Sequence, residues 1–366
     1  MATSGPVGVG IIGAGNISDT YLENLSSFPD IRVMAVGDQA TEVARAKARA
    51  FDVPVAGDVD VVLGHPEVEI VVNLTPPLAH AEVASRAVSA GKSVWNEKPL
   101  TLDLESARAL LTLADAAGVR VGCAPDTFLG AGLQTARRML EEGAIGAPLT
   151  AMVMLQSAGP DLWHPNPAFL FQEGAGPLLD MGPYYLTALV QTFGPVATVT
   201  ATGTSSKATR VVKTGPRAGE SFAVTVPSHV SALVVFESGQ SATLTFSFDS
   251  PIARDVLEVT GLDATCTFPD PNRFDGDIVI QRPFQAPDPA TTTVAAGSRG
   301  LGVLDMARAI RAGVPHRAQG ALAYHVLETM IRMSESISSR SWLSVESSVD
   351  SVPPLPGDWD PYASTV

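Results

Sequence analysis

The sequence predicts an α/β fold class, in which an N-terminal doubly wound parallel sheet is followed by an α+β domain with an open, largely antiparallel sheet. Two patterns carry this prediction. Up to about residue 125, short β-branched runs alternate with Ala-rich stretches of helical period, and beyond that point apolar and polar residues alternate along many segments. The 366 residues also exceed the ~250 to 300 at which a single core usually stops growing, so we expect two domains.

The first of these domains, over residues 1–125, follows from a repeated strand and helix rhythm. The strand patterns lie at 7–12, 31–36, 69–74, 92–95 and 119–123. The pattern EIVVNL at 69–74 is almost continuous in apolar residues, which is typical of parallel strands that helices cover on both faces.

The second domain, over residues 126–350, is predicted from one helix and a set of alternating strands. The helical pattern at 131–142 ends at Gly143, a residue type that suits a helix C-cap. Strand patterns lie at 149–157, 197–206, 229–237, 241–249, 253–260 and 276–281, and further helical patterns at 177–191, 301–312 and 318–338. These helices would cover one face of the sheet and leave the other for a partner subunit, so we expect a homodimer or homotetramer. The Pro- and Asp-rich tail at 351–366 is expected to form a surface arm.

Composition and charge argue against several classes of protein. A net charge of −14, without any Lys/Arg cluster, disfavours nucleic acid as a partner. The first basic residue is Arg32, which does not suit a secretory signal, and no apolar run approaches the ~18 residues of a membrane span. Cys123 and Cys266 are too few for a disulfide scaffold. We therefore expect a cytoplasmic protein without a membrane partner.

A glycine-rich turn joins the first strand pattern to the first helix. The segment VGVGIIGAGNIS at 7–18 has the context of a dinucleotide-binding motif. Gly13 would permit the tight turn, and Gly15 would let the backbone approach a pyrophosphate at the positive end of the helix. Ser18 stands where a third glycine is usual and is small enough for close packing between helix and strand.

Asp38 ends the second strand pattern, IRVMAVGD, 20 residues beyond Ser18. A carboxylate there can accept hydrogen bonds from the adenosine ribose hydroxyls, whereas it would repel a 2′-phosphate. No Arg follows at 39–41 to neutralise that phosphate. We therefore expect NAD rather than NADP. The alternative is an ordinary βα turn followed by an exposed turn aspartate.

Lys98 lies in the segment WNEKPLT at 95–101, at the end of a strand pattern. Open α/β sheets place their ligands at the carboxyl ends of their strands. An ammonium group at this edge can stabilise the negative oxygen that forms in a reaction, although a solvated surface lysine is an equally simple interpretation.

The chain resembles the Gfo/Idh/MocA family, named after glucose-fructose oxidoreductase, inositol dehydrogenase and a rhizopine-catabolism protein. The resemblance rests on the glycine loop at 10–18, VVNLTPP at 71–77 followed by His80, Glu-Lys-Pro at 97–99 and GAGPLLDMGPYYL at 174–186. It implies a Rossmann domain, an open-sheet domain and NAD(P)-dependent interconversion of an alcohol and a carbonyl on a sugar, glycoside or cyclitol.

The resemblance also implies roles for individual residues. Lys98 and Asp180 would lie beside the nicotinamide, with Lys98 bonded to the reacting oxygen and Asp180 orienting Lys98 or a sugar hydroxyl. Most members of the family carry His four residues after this Asp, where this chain has Tyr184. Tyr184 would then transfer the proton, with His164 as the alternative acid/base. The expected cofactor contacts are Gly13, Gly15, Asn16, Ile17, Asp38, Thr75, Pro76, His80, Glu97 and Lys98.

Substrate contacts are expected in two loops as well. Trp163 and His164 lie in DLWHPNP at 161–167, a Pro-rich loop from which an indole could support a sugar ring, although simple loop packing is an equal alternative. Asp126 is a weaker candidate for binding a sugar hydroxyl. The expected substrate contacts are Lys98, Asp126, Trp163, His164, Asp180 and Tyr184. The remaining histidines show no metal pattern, so no metal is predicted.

Three functions remain open from the sequence. The first is an NAD-dependent dehydrogenase of a sugar, glycoside or cyclitol. The second is an NAD-dependent glycosidase that oxidises its sugar transiently, and the third is a non-catalytic nucleotide-binding sensor. Sustained NADH release would indicate the first, and glycosidic cleavage without net NADH the second.

Overall fold

The computed structural model describes residues 4–292 and 297–366, which divide into two compact units. Among these described residues, the first unit comprises 4–131, 297–327 and Pro353–Val366, and the second comprises Gly132–Thr292 and Glu328–Val352. The boundary expected near residue 125 lies close to the end of the first segment. Unlike the contiguous domains expected from the sequence, however, each unit is built from separate stretches of chain.

Six strands of the described part of the first unit form a parallel sheet in the order β3-β2-β1-β4-β5-β6. The strands are β1 Val7–Ile12, β2 Ile31–Gly37, β3 Val55–Gly57, β4 Ile70–Asn73, β5 Ser93–Asn96 and β6 Val121–Cys123. The helices between them are α1 Ile17–Ser27, α2 Thr41–Ala50, α3 Val59–Leu63, α4 His80–Ser89 and α5 Leu104–Ala117. Every residue of β1, β4 and β5 is buried, which explains their continuous apolar runs. The predicted doubly wound sheet is confirmed, and its strand order reverses beside β1 and β4.

The second unit is built on a mixed sheet, to which nine strands contribute within residues 4–292 and 297–366. Their order is β16-β15-β14-β13-β7-β12-β11-β8-β17, and only the β7 and β12 pair among these neighbours is parallel. The elements from residue 131 onwards are α6 Ala131–Glu141, β7 Pro148–Gln156, α7 Gly176–Phe193, β8 Val196–Thr204, β9 Thr209–Val211, β10 Ser221–Ala223, β11 His229–Phe236, β12 Ser241–Ser247, β13 Arg254–Gly261, β14 Thr265–Thr267, β15 Ile278–Gln281, β16 Asp288–Ala290, α8 Leu301–Ala312, α9 Gly320–Ser339 and β17 Leu343–Ser344, of which α8 belongs to the first unit. Helix α7 packs against β7, β11 and β12. The mostly antiparallel sheet is therefore confirmed.

Helix α8 packs within the first unit, against β4 and β6, and not on the second sheet as its apolar pattern suggested. Glycines make this packing close. A Cβ on Gly302 would collide with the ring of Trp95, and one on Gly122 would collide with Met306. None of the described helices has the length and hydropathy that a membrane crossing requires.

The C-terminal arm belongs to the first unit, where the carboxylate of Asp30 anchors it. Asp30 is fully buried and accepts hydrogen bonds from the Thr365 backbone N–H at 2.9 Å and from its hydroxyl at 2.8 Å. Arg308 donates to the same carboxylate at 2.7 Å and lies 4.9 Å from the ring centre of Trp359. The arm expected from the sequence is thus held against the first unit by hydrogen bonds to a buried carboxylate.

Candidate dinucleotide site and catalytic residues

Two glycines shape the turn after β1 for different reasons. Gly13 has a φ of +103°, and an added Cβ would lie 2.7 Å from the Leu74 carbonyl, so a side chain does not fit there. An added Cβ on Gly15 would meet no described atom within 4 Å. Gly15 and Asn16 are exposed where α1 begins. The first turn of α1 is therefore open to solvent, as in helix termini that bind anions.

Asp38 is held against this turn by backbone hydrogen bonds. Its Oδ2 accepts from the N–H of Ala14 and its Oδ1 from the N–H of Ala40, both at 2.8 Å. A carboxylate offers about four acceptor positions, so both oxygens can still accept hydrogen bonds from hydroxyl groups of a ligand. Ser18 is buried, and its hydroxyl donates to the Gly15 carbonyl at 2.6 Å, which confirms that a small residue suits this position.

Lys98 follows β5, and the residues on both sides of it are fixed. The Oε1 atom of Glu97 accepts a hydrogen bond from the Tyr21 hydroxyl at 2.9 Å, and its Oε2 accepts from the Lys98 N–H at 3.0 Å. On the other side, the Pro99 carbonyl lies 2.7 Å from Nδ1 of His80. The backbone at Lys98 is therefore bound to both α1 and α4.

The imidazole of His80 is fully buried and joins the segment after β4 to the segment after β5. Its Nδ1 lies 2.7 Å from the Pro99 carbonyl, and its Nε2 lies 2.9 Å from the Thr75 carbonyl. Burial lowers the pKa of His80, and the bonds to these two carbonyls act in the opposite direction. The ring has no exposed surface, so any effect of His80 on a cofactor would pass through the two segments that it joins.

Two buried asparagines end β4 and β5 side by side, and the sequence analysis missed both. Nδ2 of Asn73 donates to Oδ1 of Asn96 at 2.9 Å, and Oδ1 of Asn73 accepts from the Thr75 hydroxyl at 2.7 Å. Nδ2 of Asn96 donates to the Leu100 carbonyl at 3.1 Å. Buried amides need such partners. A polar residue at the end of an apolar strand was the signal that could have identified them.

Asp126 lies inside the first unit with no exposed surface, where a sugar hydroxyl would not reach it. Its Oδ2 accepts from the N–H groups of Gly300 at 2.8 Å and Gly302 at 3.0 Å, at the start of α8. Burial raises the pKa of Asp126 to about 6, although these hydrogen bonds oppose the shift. The structure therefore makes Asp126 a helix cap, in place of the sugar contact expected from the sequence.

Asp180 and Tyr184 are one turn apart on α7, in the second unit. Residues at this spacing share one face of a helix. The neighbouring Tyr185 points elsewhere and packs edge to face on Phe246, with 5.7 Å between ring centres. Burial raises the pKa of Tyr185 far above its ordinary value. The structure therefore separates two tyrosines that are adjacent in sequence and leaves Tyr184 on the face of Asp180.

The segment 158–172, which we term the aromatic loop, follows β7 and carries Trp163 and His164. The Trp163 side chain is 66% exposed. The His164 ring packs edge to face with both Trp163 and Phe169, at 5.6 Å in each case. Nδ1 of His164 accepts a hydrogen bond from the Asn166 N–H at 3.0 Å, so the neutral ring carries its proton on Nε2. In this tautomer, His164 can donate a hydrogen bond from Nε2.

The candidate residues divide between the two units. The first unit holds Gly13, Gly15, Asn16, Ile17, Asp38, Thr75, Pro76, His80, Glu97 and Lys98, and the second holds Trp163, His164, Asp180 and Tyr184. Across the part of the chain that the structure describes, no group of three or more His, Cys, Asp or Glu residues could hold a metal ion.

Comparisons with known proteins match both halves of the chain. The model of the Gfo/Idh/MocA oxidoreductase family, described as an NAD-binding Rossmann fold, matches residues 7–124. The model of the Gfo/Idh/MocA C-terminal domain matches residues 133–267. The two models cover the glycine turn, Lys98, Asp180 and Tyr184.

Curated relatives are similar at low identity. Inositol 2-dehydrogenase of Rhizobium meliloti is 29% identical over 151 residues, which are 41% of this chain and 45% of the relative. D-apiose dehydrogenase of Paraburkholderia graminis is 26% identical over 261 residues, 70% of this chain and 65% of the relative. The chain thus matches less than two thirds of the length of either protein.

Solved structures share the fold over nearly the whole chain. The apo form of levoglucosan dehydrogenase superimposes with a TM-score of 0.81 at 20% identity, covering 94% of this chain and 100% of that one. An NAD-binding oxidoreductase from Klebsiella pneumoniae gives a TM-score of 0.80 at 22% identity, covering 93% and 99%. The two family models together match more than half of the chain, which therefore belongs to the Gfo/Idh/MocA oxidoreductase family, and residues 7–124 form the NAD-binding Rossmann domain of that family.

Proposed function

We propose that this protein is an NAD-dependent dehydrogenase that interconverts a secondary alcohol and a ketone on a sugar, glycoside or cyclitol. One observation carries the proposal. The glycine turn after β1 and Lys98 after β5 lie at the carboxyl edge of the same parallel sheet, and Tyr21 of α1 is bonded to Glu97 beside Lys98. The helix that would bind the pyrophosphate is thus connected to the residue that would bind the reacting oxygen.

The residues of the first unit suit NAD. The backbone of the exposed Gly15 and Asn16 and of the half-buried Ile17 can bind a pyrophosphate at the start of α1, and Asp38 can accept hydrogen bonds from ribose hydroxyls. The negative charge of Asp38 disfavours the 2′-phosphate of NADP. When bound, the cofactor supplies the nicotinamide carbon that accepts hydride. We assign the segment at Thr75 and Pro76, braced by His80, to the nicotinamide ribose.

The remaining chemistry is assigned to four side chains. The Lys98 ammonium donates a hydrogen bond to the hydroxyl oxygen and stabilises the alkoxide as hydride departs. Tyr184, as the phenolate, takes the hydroxyl proton and becomes a neutral phenol, and Asp180, one turn earlier on α7, orients the reacting group. His164 donates from Nε2 to a further hydroxyl, because its Nδ1 lone pair is occupied by the Asn166 N–H. Trp163 supports the apolar face of the ring.

We also propose a homodimer or homotetramer. The nine-stranded sheet exposes 39% of Met152 and 44% of Leu233 on neighbouring parts of one surface. Exposed apolar side chains on an open sheet are typical of subunit interfaces. Light scattering on a sizing column would contradict this proposal if it gave the mass of one chain.

A substrate panel tests the proposed function. The full chain would be incubated with NAD⁺ or NADP⁺ and with sugars, glycosides and cyclitols, while NADH absorbance and glycoside cleavage are both recorded. We expect sustained NADH formation with at least one alcohol and a preference for NAD⁺. Cleavage of a glycoside without net NADH would replace the dehydrogenase with a glycosidase, and nucleotide binding without turnover would leave a sensor.

A further inference from the structure

A buried arginine connects the aromatic loop to the rest of the second unit. Arg210, in β9, has only 4% of its side chain exposed. Its Nη1 donates to Oδ1 of Asp161 at 2.6 Å and to the Ala158 carbonyl at 3.2 Å. Its Nη2 donates to the Phe248 carbonyl at 2.8 Å and to the carboxylate of Asp249. One guanidinium therefore joins the start of the aromatic loop to the chain that leaves β12.

The two aspartates that bind Arg210 make further hydrogen bonds of their own. Asp249 accepts hydrogen bonds from the hydroxyls of Ser206 and Ser228, both at 2.6 Å, and the backbone carbonyl of Asp161 accepts from the Lys213 N–H at 3.0 Å. Asp161 lies two residues before Trp163. A shift of the Arg210 guanidinium would therefore be passed directly to the loop that carries the indole.

An apolar cluster lies under the same contacts. The guanidinium carbon of Arg210 lies 4.7 Å from the ring centre of Phe171, which in turn packs on Phe222 and Phe248. Gly159 has a φ of +104°, and an added Cβ there would collide with both the guanidinium and Asp161. The base of the loop is thus closely packed, whereas Trp163 at 66% and Phe169 at 49% remain exposed above it.

We propose that Arg210 is a positioning residue for substrate, which with Asp161 and Asp249 holds the aromatic loop in one conformation. In this conformation, Trp163 and His164 form a preformed surface for the ring of a sugar or cyclitol. The inference rests on the function proposed above and names the residue that fixes its substrate specificity. Substrate contacts lose their effect when they shift by about 1 Å, so the anchor matters even without touching substrate.

The buried charges of Arg210, Asp161 and Asp249 are better explained by a role in positioning the aromatic loop than by a contribution to stability alone. Removing a guanidinium and two carboxylates from water is unfavourable, and apolar residues of similar volume often stabilise a protein as well or better. The planar guanidinium instead fixes direction, because its donors point to four acceptors at set angles. Lysine keeps the charge at this position but lacks that geometry, which makes Arg210→Lys the informative change.

The test compares Arg210→Lys with Arg254→Lys in the full-length protein. Arg254 is an exposed arginine of β13 in the same unit that donates to Gln156, and it serves as the matched control. Amide hydrogen exchange of 158–172, thermal midpoints, and kcat and KM for both NAD⁺ and the alcohol would be measured for each variant. A third variant, Asp249→Asn, weakens the same anchor if Arg210→Lys does not fold.

We expect Arg210→Lys to speed exchange in 158–172 and to raise KM for the alcohol about tenfold, with KM for NAD⁺ unchanged within a factor of two. Unaltered exchange in both anchor variants would overturn the positioning role. Faster exchange without a change in KM for the alcohol would overturn the link to substrate. If myo-inositol, D-glucose and the rest of the panel give no NADH with the wild type, the proposed function fails, and the proposed substrate surface fails with it. The hydrogen-exchange comparison would still show whether Arg210 holds the aromatic loop in place.

Discussion

The hydroxyl group of Tyr21 donates a hydrogen bond of 2.9 Å to Oε1 of Glu97. Burial raises the pKa of Tyr21 well above its ordinary value, with the nearby Glu97 charge adding to the effect, so the hydroxyl remains a donor at neutral pH. The other carboxylate oxygen accepts from the Lys98 N–H. The relationship places one half-buried carboxylate between the helix of the glycine turn and the proposed catalytic lysine.

Tyr21→Phe should therefore lower turnover without abolishing cofactor binding. The change leaves Glu97 Oε1 and the indole N–H of Trp95 without their partner, and it loosens the backbone at Lys98. We expect kcat to fall about tenfold. NADH binding, followed by fluorescence, should weaken less than threefold, because Tyr21 is not among the residues proposed to bind the pyrophosphate. Equal losses in binding and turnover would place Tyr21 in the cofactor site itself.

Lys98→Met should remove most of the activity. The variant keeps the length of the side chain but loses the ammonium that stabilises the alkoxide. The loss of one such donor lowers kcat by about 10² to 10³. Lys207→Met is the matched control, since Lys207 is an exposed lysine of the second unit outside the proposed site. Initial rates at saturating NAD⁺ and alcohol would measure the effect, and unchanged turnover of Lys98→Met would remove Lys98 from the proposed chemistry.

Asp38→Asn should reduce the preference for NAD⁺. The amide can still accept one backbone hydrogen bond, so the turn should persist, whereas the charge that binds ribose hydroxyls and repels a 2′-phosphate is lost. The ratio of kcat/KM for NAD⁺ over NADP⁺ should fall about tenfold. Glu42→Gln, on the exposed face of α2, should leave the ratio at its wild-type value. A ratio that Asp38→Asn does not alter would remove Asp38 from the cofactor site.

Asp126 should make the first unit less stable at neutral pH than below pH 6. A carboxyl whose pKa rises from 3.8 to about 6 on folding holds a proton that the unfolded chain releases between those values. The unfolding free energy from this group thus decreases as pH rises through that window, by up to about 3 kcal/mol. Urea unfolding from pH 5 to 7.5 should show a weaker pH dependence for Asp126→Asn.

The control for this prediction is a second helix cap with the opposite shift. Asp103 caps α5, and its hydrogen bonds with Ser106 lower its pKa below 3.8. The contribution of Asp103 is lost only as pH falls through that lower range, so Asp103→Asn should follow the wild-type curve between pH 5 and 7.5. If both variants run parallel to the wild type, Asp126 does not titrate in this window.

The sequence predicted elements that are long and periodic, and it missed those that depend on tertiary contacts. Strand β1 and helix α7 follow from their apolar patterns, whereas β3 at Val55–Gly57 is too short to show a period. Helix α8 was predicted at the correct residues but for the wrong sheet, because an apolar stripe does not specify its partner. The close contact of Gly302 with Trp95 fixes α8 against the parallel sheet of the first unit.

The candidate site residues divide in the same way, into those that a sequence motif predicts and those whose contacts appear only in the fold. Motifs predicted Lys98 and Asp38 as candidates, because spacing relative to a strand end is visible in sequence. The sequence offered His80 only as a cofactor contact and gave no signal at Arg210, whereas the fold shows that each joins segments distant in the chain. An isolated histidine or arginine carries no such signal in one sequence.

The choice between Tyr184 and His164 as acid/base leads to a last prediction. Tyr184 shares a helix face with Asp180, whereas the Nδ1 lone pair of His164 already accepts from the Asn166 N–H. Tyr184→Phe should therefore lower kcat by about 10² or more and remove one limb of the pH profile of kcat. His164→Gln, which retains a hydrogen-bond donor, should mainly raise KM for the alcohol and leave the profile in place. If the two results are exchanged, proton transfer belongs to His164, which would then have to release Asn166 before it could accept the proton.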